Sequence, residues 1–225
     1  MLNIAMEPIK SPRSKASRLV VRIAKNASEI EDAFRLRYKV FVGEMGASIG
    51  DAQTRTERDF WDEHCSHLIV IDQEIDEVVG TYRMLEPHIA KSLGSVYSDE
   101  NFDLIRLWPL RNNMLEIGRA CVLDGYRSGS TILLLWSALA KFMTEKNYDH
   151  LIGCSSVGLA DGGKNAASGY LHLSKKSIVP IEYRVRPRNP FPFDPSVTGD
   201  KFCPPALMAA YLRAGAYICG EPAWD

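Results

Sequence analysis

The chain has 225 residues, 46% hydrophobic and 24% charged, with a formal net charge of −1; this balance supports one folded core and excludes a disordered or fibrous chain. The near-neutral charge also excludes broad electrostatic capture of nucleic acid, which needs a strongly basic face. Cys65, Cys121, Cys154, Cys203 and Cys219 form no CxxC pair, and the apolar run Ile132–Ala140 is far shorter than the roughly 20 residues of a membrane span, so the expectation is a cytoplasmic protein with free thiols.

Residues 1–17 carry no period and no apolar signal-peptide core. They read as a flexible leader to a single domain over 18–225. Leu19–Ala24 has the β-branched composition of a first strand. Ser28, with Glu31 three residues on, predicts a capped helix that carries Ile30, Ala33, Phe34, Arg37, Tyr38 and Phe41 and stops near Gly43. After a polar stretch, His67–Asp72 and Val78–Leu85 predict an antiparallel hairpin around the turn Gln73–Glu77.

Further along, Asp99–Leu107 predicts a short helix and Met114–Leu123 a strand. Gly129 opens a long helix through Lys146, whose apolar face suits a core position behind the preceding loop, and Asp149–Ser156 predicts a buried strand. The last third predicts a helix at Ala166–Lys175, a strand at Ile181–Arg186, a helix at Ala206–Arg213 after Pro204 and Pro205, and a terminal strand at Ala216–Cys219. Strands and helices in this mixture predict a three-layer α/β or α+β sandwich around one sheet.

Four ordered motifs carry candidate chemistry: RLRYKVF with Arg37 and Phe41, RDFWDEHCSHLIV with Asp59 and Asp62, VVGTYRML with Arg83, and LEIGRACV with Glu116 and Arg119. In this order and spacing they resemble the ornithine N-acyltransferases, also labelled haemolysin-like, and more distantly the acyl-homoserine-lactone autoinducer synthases. Both families are GNAT-like. The aromatic that the lactone synthases carry six residues after the Phe is absent, position 47 being Ala47.

The resemblance implies a GNAT-like fold with a mixed, mostly antiparallel central sheet, flanked by helices and splayed into a V between two strands. It implies transfer of a long 3-hydroxyacyl chain from acyl carrier protein to the α-amine of ornithine, giving lyso-ornithine lipid at the inner face of a bacterial membrane. Acylation of another amine, giving an N-acyl amino acid or an acyl homoserine lactone, is the alternative. The haemolysin-like label would imply a non-catalytic membrane-active protein, against which the chain offers no cationic amphipathic helix.

The residues support the same chemistry physically. An amine must lose a proton before attacking a thioester, and a positioned carboxylate supplies roughly 10²- to 10⁴-fold. Glu116, among Met114, Leu115 and Ile117, is the candidate base. Gly118 permits a bulge that would turn Glu116 and Arg119 to one side; the alternative is a plain ion pair at a strand end. Asp59 and Asp62 could neutralise the two ammonium groups of ornithine or make an acidic turn with a helix cap. Arg37 and Arg83 suit planar anions, a donor phosphate or a substrate carboxylate, or else pair with nearby acids.

For the donor, the strand amides of Ala120, Cys121 and Val122 are expected to polarise the thioester carbonyl. The loop with Arg127, Gly129, Ser130 and Thr131 opens a helix where a phosphate is received. Of the usual GNAT loop it keeps only Arg127 and Gly129, which suits the single phosphate of a carrier-borne phosphopantetheine better than coenzyme A. Lys164, Lys175, Lys176, Arg184, Arg186 and Arg188 offer a basic surface to an acidic carrier protein, or a solvated face. DEHCSH fits no zinc-ligand spacing, so no metal is expected.

Overall fold

The computed structural model describes residues 18–127, 129–192 and 201–224. The leader, and Ser128 of the donor loop, lie outside the described residues. The chain forms two compact units: Met1–Asp62, Ser66–Arg83 and Arg119–Glu145 make one, and Glu63–Cys65, Met84–Gly118 and Lys146–Asp225 the other.

In the first unit, β1 (Leu19–Ile23) pairs antiparallel with β2 (Ser66–Asp72), Leu19 opposite Asp72 and Ile23 opposite Leu68. Helix α1 spans Ala27–Tyr38 and is capped by Asn26, whose side chain accepts from Glu29 N. The cap therefore lies two residues before the expected Ser28. Asparagine can take the extended backbone seen here (φ −150°) while its side chain bonds the first turn, and Glu29 answers by accepting from Lys25 N. The Arg22 hydrogen bond, reinforced by that amide, holds the Glu29 carboxyl down at about 2.

Helix α1 buries Ala33, Phe34, Leu36 and Arg37, one face at helical spacing. It then runs into a π-helical segment, Lys39–Glu44, which carries the helical path past the Gly43 stop expected from sequence. The strand β3 (Glu77–Leu85) is buried through most of its length. Helix α2 (Pro87–Leu93) follows it, in the second unit. Gly80 permits close packing in the first unit, since a Cβ there would lie 2.9 Å from the Thr131 methyl.

In the second unit, the expected helix Asp99–Leu107 is replaced by 3₁₀ turns at Tyr97–Glu100 and Ile105–Asn113 with a two-residue strand between them, β4 (Phe102–Asp103). The sequence lacks the run of good helix formers that an α-helix would need, and Pro109 removes a backbone donor. Strand β5 (Met114–Val122), whose residues to Gly118 belong to this unit and the rest to the first, is as expected, and helix α3 (Ser130–Lys146) follows, in the first unit through Glu145.

Strand β6 is only His150–Ile152 and is partly exposed, rather than a buried strand to Ser156. It pairs parallel with β5 at Met114, Leu115 and Glu116. A Cβ at Gly153 would meet the Ile117 carbonyl oxygen at 2.5 Å. Helix α4 (Lys164–Lys176) is followed by a 3₁₀ turn, Ile181–Tyr183, and by β7 (Arg186–Pro187), which pairs with β4 in place of the longer strand expected over 181–186. Helix α5 (Ala206–Arg213) matches expectation, whereas 216–219 contributes only an isolated bridge, Ile178 to Ile218.

Among the described residues the strands form a mixed sheet of five in the order β1-β2-β3-β5-β6, flanked by helices, and a separate pair β4-β7. This is the α+β class expected from the sequence.

Candidate active site

The first unit holds a closed network of three arginines and three carboxylates. Arg37, at the end of α1, donates through Nη1 and Nη2 to Asp62 at 2.6 and 2.8 Å and through Nε to Glu57. Arg119 donates through Nε to Glu57 at 3.0 Å and through Nη2 to Asp59 at 2.8 Å. Arg83, on β3, closes the ring onto Asp59, with its Nη1 also 3.3 Å from Asp62. The acidic segment is shaped locally by Asp59 N donating to Asp62 Oδ2 and Trp61 N donating to Asp59 Oδ1.

Arg37, Glu57, Asp62 and Arg83 have side chains at most 4% exposed, while those of Asp59 and Arg119 are 24% and 19% exposed. Asp59 and Arg119 are thus the corner of the network that meets solvent. Burial alone would raise the Asp62 carboxyl, but the Arg37 hydrogen bonds and charge, with Arg83 beyond, hold it below the usual carboxylate range. His67 donates from Nε2 to the Asp62 carbonyl at 3.1 Å and packs edge-on to Phe34; burial pushes it toward the neutral form.

The sequence assigned Arg37, Asp59, Asp62, Arg83 and Arg119 to substrate and catalysis, and the structure brings all five together around Glu57. Glu57 was missed. Its signal is the spacing of three acids at 57, 59 and 62, of which the sequence reading took only the last two. Arg119 is reached by a backbone excursion at the arginine itself, φ 51°, rather than at Gly118. Phe41, a candidate for the substrate site, packs with Val78 and Leu123 against the buried cluster Leu36, Val40 and Cys121, so Phe41 and Cys121, the latter a candidate for the acyl donor, share one apolar cluster. Desolvation raises the Cys121 thiol to about 12.

Glu116 belongs to the second unit and has different partners. The residue is 4% exposed. Oε2 accepts from Tyr97 N at 2.8 Å, and Oε1 accepts from Ser98 N at 2.8 Å and Ser98 Oγ at 2.6 Å. The two amides open the 3₁₀ turn Tyr97–Glu100, whose first N–H groups lack partners within the turn. These three donors satisfy the buried carboxylate, offsetting part of the cost of its burial.

In the donor segment, Arg127 donates from Nε to the Val122 carbonyl at 3.0 Å and pairs with Glu44. Ala120 and Val122 are half-buried at the end of strand β5, Gly129 has φ 100°, and Ser130 starts α3. Thr131 is fully buried, its methyl toward Gly80. In the second unit Lys164, Lys175, Lys176, Arg184, Arg186 and Arg188 are all exposed. Arg184 and Arg186 line a cleft with Asp103, Ile105 and Arg106, whereas Arg188 is tied to the Asp99 carbonyl at 2.6 Å.

Residues 36–137 match the acetyltransferase (GNAT) domain family. The chain is 37% identical over 164 residues to the L-ornithine N(alpha)-acyltransferase of Agrobacterium fabrum, covering 68% of this chain and 56% of that protein. It is 32% identical over 232 residues to the protein of the same name from Rhizobium meliloti, covering 94% of this chain and 77% of that protein. The chain belongs to the L-ornithine N(alpha)-acyltransferase family. It is an acyltransferase with a GNAT domain. The crystal structure of the AHL synthase LasI is also similar, with a TM-score of 0.47 and 17% identity over 67% of this chain and 78% of that one. Among the described residues of this family member, no helix is long and apolar enough to cross a membrane.

Proposed function

We propose that the chain transfers a long, 3-hydroxylated fatty acyl group from the phosphopantetheine thioester of an acyl carrier protein to the α-amine of L-ornithine, giving lyso-ornithine lipid. An acyltransferase needs a thioester donor and an amine acceptor. Family membership supports ornithine as the amine. The observation that carries the chemistry is the buried Glu116 carboxylate, gripped by the Tyr97 and Ser98 amides and the Ser98 hydroxyl.

In this reading Glu116, directly or through a water, removes the proton from the α-ammonium so that the nitrogen lone pair can attack the thioester carbonyl. The amides of Ala120, Cys121 and Val122 polarise that carbonyl, and the amides that open α3 beyond Gly129 receive the donor phosphate. Asp59, the more open carboxylate of the network, supplies negative charge for an ammonium of the substrate, while Arg37, Asp62 and Arg83 hold the framework of the network and Phe41 its apolar wall. Arg119 orients Asp59. Lys164, Lys175, Lys176, Arg184, Arg186 and Arg188 are the surface offered to the acidic carrier protein, and the amphiphilic product implies peripheral contact with the inner membrane.

The test is a reaction of purified protein, 3-hydroxyacyl carrier protein and L-ornithine, read by mass spectrometry of N-acyl-ornithine and by release of free thiol. Thiol release with equal preference among amines would remove ornithine from the assignment, and equal use of acyl-CoA would remove the carrier protein. Replacement of Glu116 by Gln should lower turnover about 100-fold with the fold intact by circular dichroism. Wild-type turnover by that variant would exclude Glu116 as the base.

A further inference from the structure

Ser98 lies 18 residues upstream of Glu116, on a turn that carries none of the family motifs, and is 2% exposed. It bonds the carboxylate twice, through its amide at 2.8 Å and its hydroxyl at 2.6 Å, both to Oε1. A serine hydroxyl has one hydrogen and two acceptor positions. Because that hydrogen goes to Glu116, the contact between Ser98 Oγ and Cys154 Sγ at 3.4 Å is one in which the thiol donates. The donation fixes the rotor of the hydroxyl, with its hydrogen aimed at Oε1. Cys154 is exposed and follows β6, whose last residue, Ile152, is the ladder partner of Glu116. The pairing of β5 with β6 therefore brings the thiol to the hydroxyl that bonds the carboxylate.

We propose that Ser98 is a positioning residue for Glu116. Its hydroxyl, locked by Cys154, holds the carboxylate ionised and in one orientation, and so sets the lower pH limit of the acyl transfer. The inference rests on the reading of Glu116 as the base. A donor to a carboxylate stabilises the charged form, so its removal moves the ionisation, and with it the acid limb of activity, to higher pH.

The experiment is the pH profile of kcat/KM for the wild-type enzyme and for Ser98→Ala, Ser98→Thr, Cys154→Ala and Glu116→Gln. For Ser98→Ala the acid limb should rise by about one pH unit, as expected for loss of one charge-assisted hydrogen bond, and kcat should fall about tenfold with KM for ornithine unchanged. Ser98→Thr, which keeps the hydroxyl, should restore the limb. Cys154→Ala should move it in the same direction as Ser98→Ala but by less. A uniform loss at all pH values in Ser98→Ala, with the limb unmoved, would make Ser98 merely structural and overturn the proposal, as would a threonine variant that behaves like alanine. Failure of the underlying reading has a different signature: Glu116→Gln would keep wild-type turnover, or the wild-type enzyme would have no acid limb to move.

Discussion

Asp62 is the residue whose loss should cost the fold most. It neutralises Arg37 through two parallel hydrogen bonds at a site almost closed to water. Removing one partner of such a pair leaves an uncompensated buried charge, typically at a cost of about 3–5 kcal/mol. Asp62→Asn is therefore expected to lower unfolding free energy by about that amount in a denaturant titration, and Asp59→Asn, at the half-open corner, by clearly less. Equal losses would contradict the burial difference. At this scale the sequence revealed the residues whose types are unusual for their surroundings: a glutamate amid apolar neighbours, two aspartates three apart, and single arginines within the apolar strands β3 and β5. It did not reveal who pairs with whom. Ser98 was invisible for that reason, and Glu57 was hinted at only by its spacing to Asp59 and Asp62, since an acid in a polar loop and a serine before an acidic pair look like ordinary surface residues until distant segments close on them.

Elements with a long, clean period were legible, and those set by a few contacts were not. Helix α3 and strands β2 and β3 follow from their apolar patterns. The region from 97 to 113 does not, because two 3₁₀ turns and a two-residue strand have no repeat long enough to read. Nor does the side-chain pattern show the close backbone approach at Gly153, just past β6, where a Cβ would meet the Ile117 carbonyl oxygen. Gly80 shows what such approach demands. It lies on a buried strand, where glycine is otherwise unfavourable, and a methyl there would press on Thr131 and Leu135 at 2.9 and 3.4 Å. Gly80→Ala should destabilise by about 1–3 kcal/mol through overpacking, seen as a lowered melting temperature. A neutral or stabilising result would mean that α3 can shift away from β3 without penalty.

Across the whole molecule, pH should act through carboxylates held ionised. Asp62 and Glu29 both have folded-state values depressed by arginine partners. Such groups stabilise the protein above the unfolded carboxylate pKa of about 4, and that stabilisation is lost as pH falls through the folded values. Melting temperature should accordingly hold from neutrality to about pH 5 and then fall, with Asp62→Asn removing part of the acid dependence. A melting temperature that rises on acidification would be incompatible with these pairs. The family and its α+β class were readable because the motifs are ordered along the chain; the division into two units was not, because each unit is assembled from separated stretches. The first unit takes Arg37, Glu57, Asp59 and Asp62 from one stretch, Arg83 from a second and Arg119 from a third. As the chain leaves the ribosome, five members of the charge ring therefore emerge before the sixth, and the ring can close only after residue 119 has been synthesised. Until then two acids meant for a guanidinium must remain hydrated, which delays burial of this part of the core to a late point in synthesis.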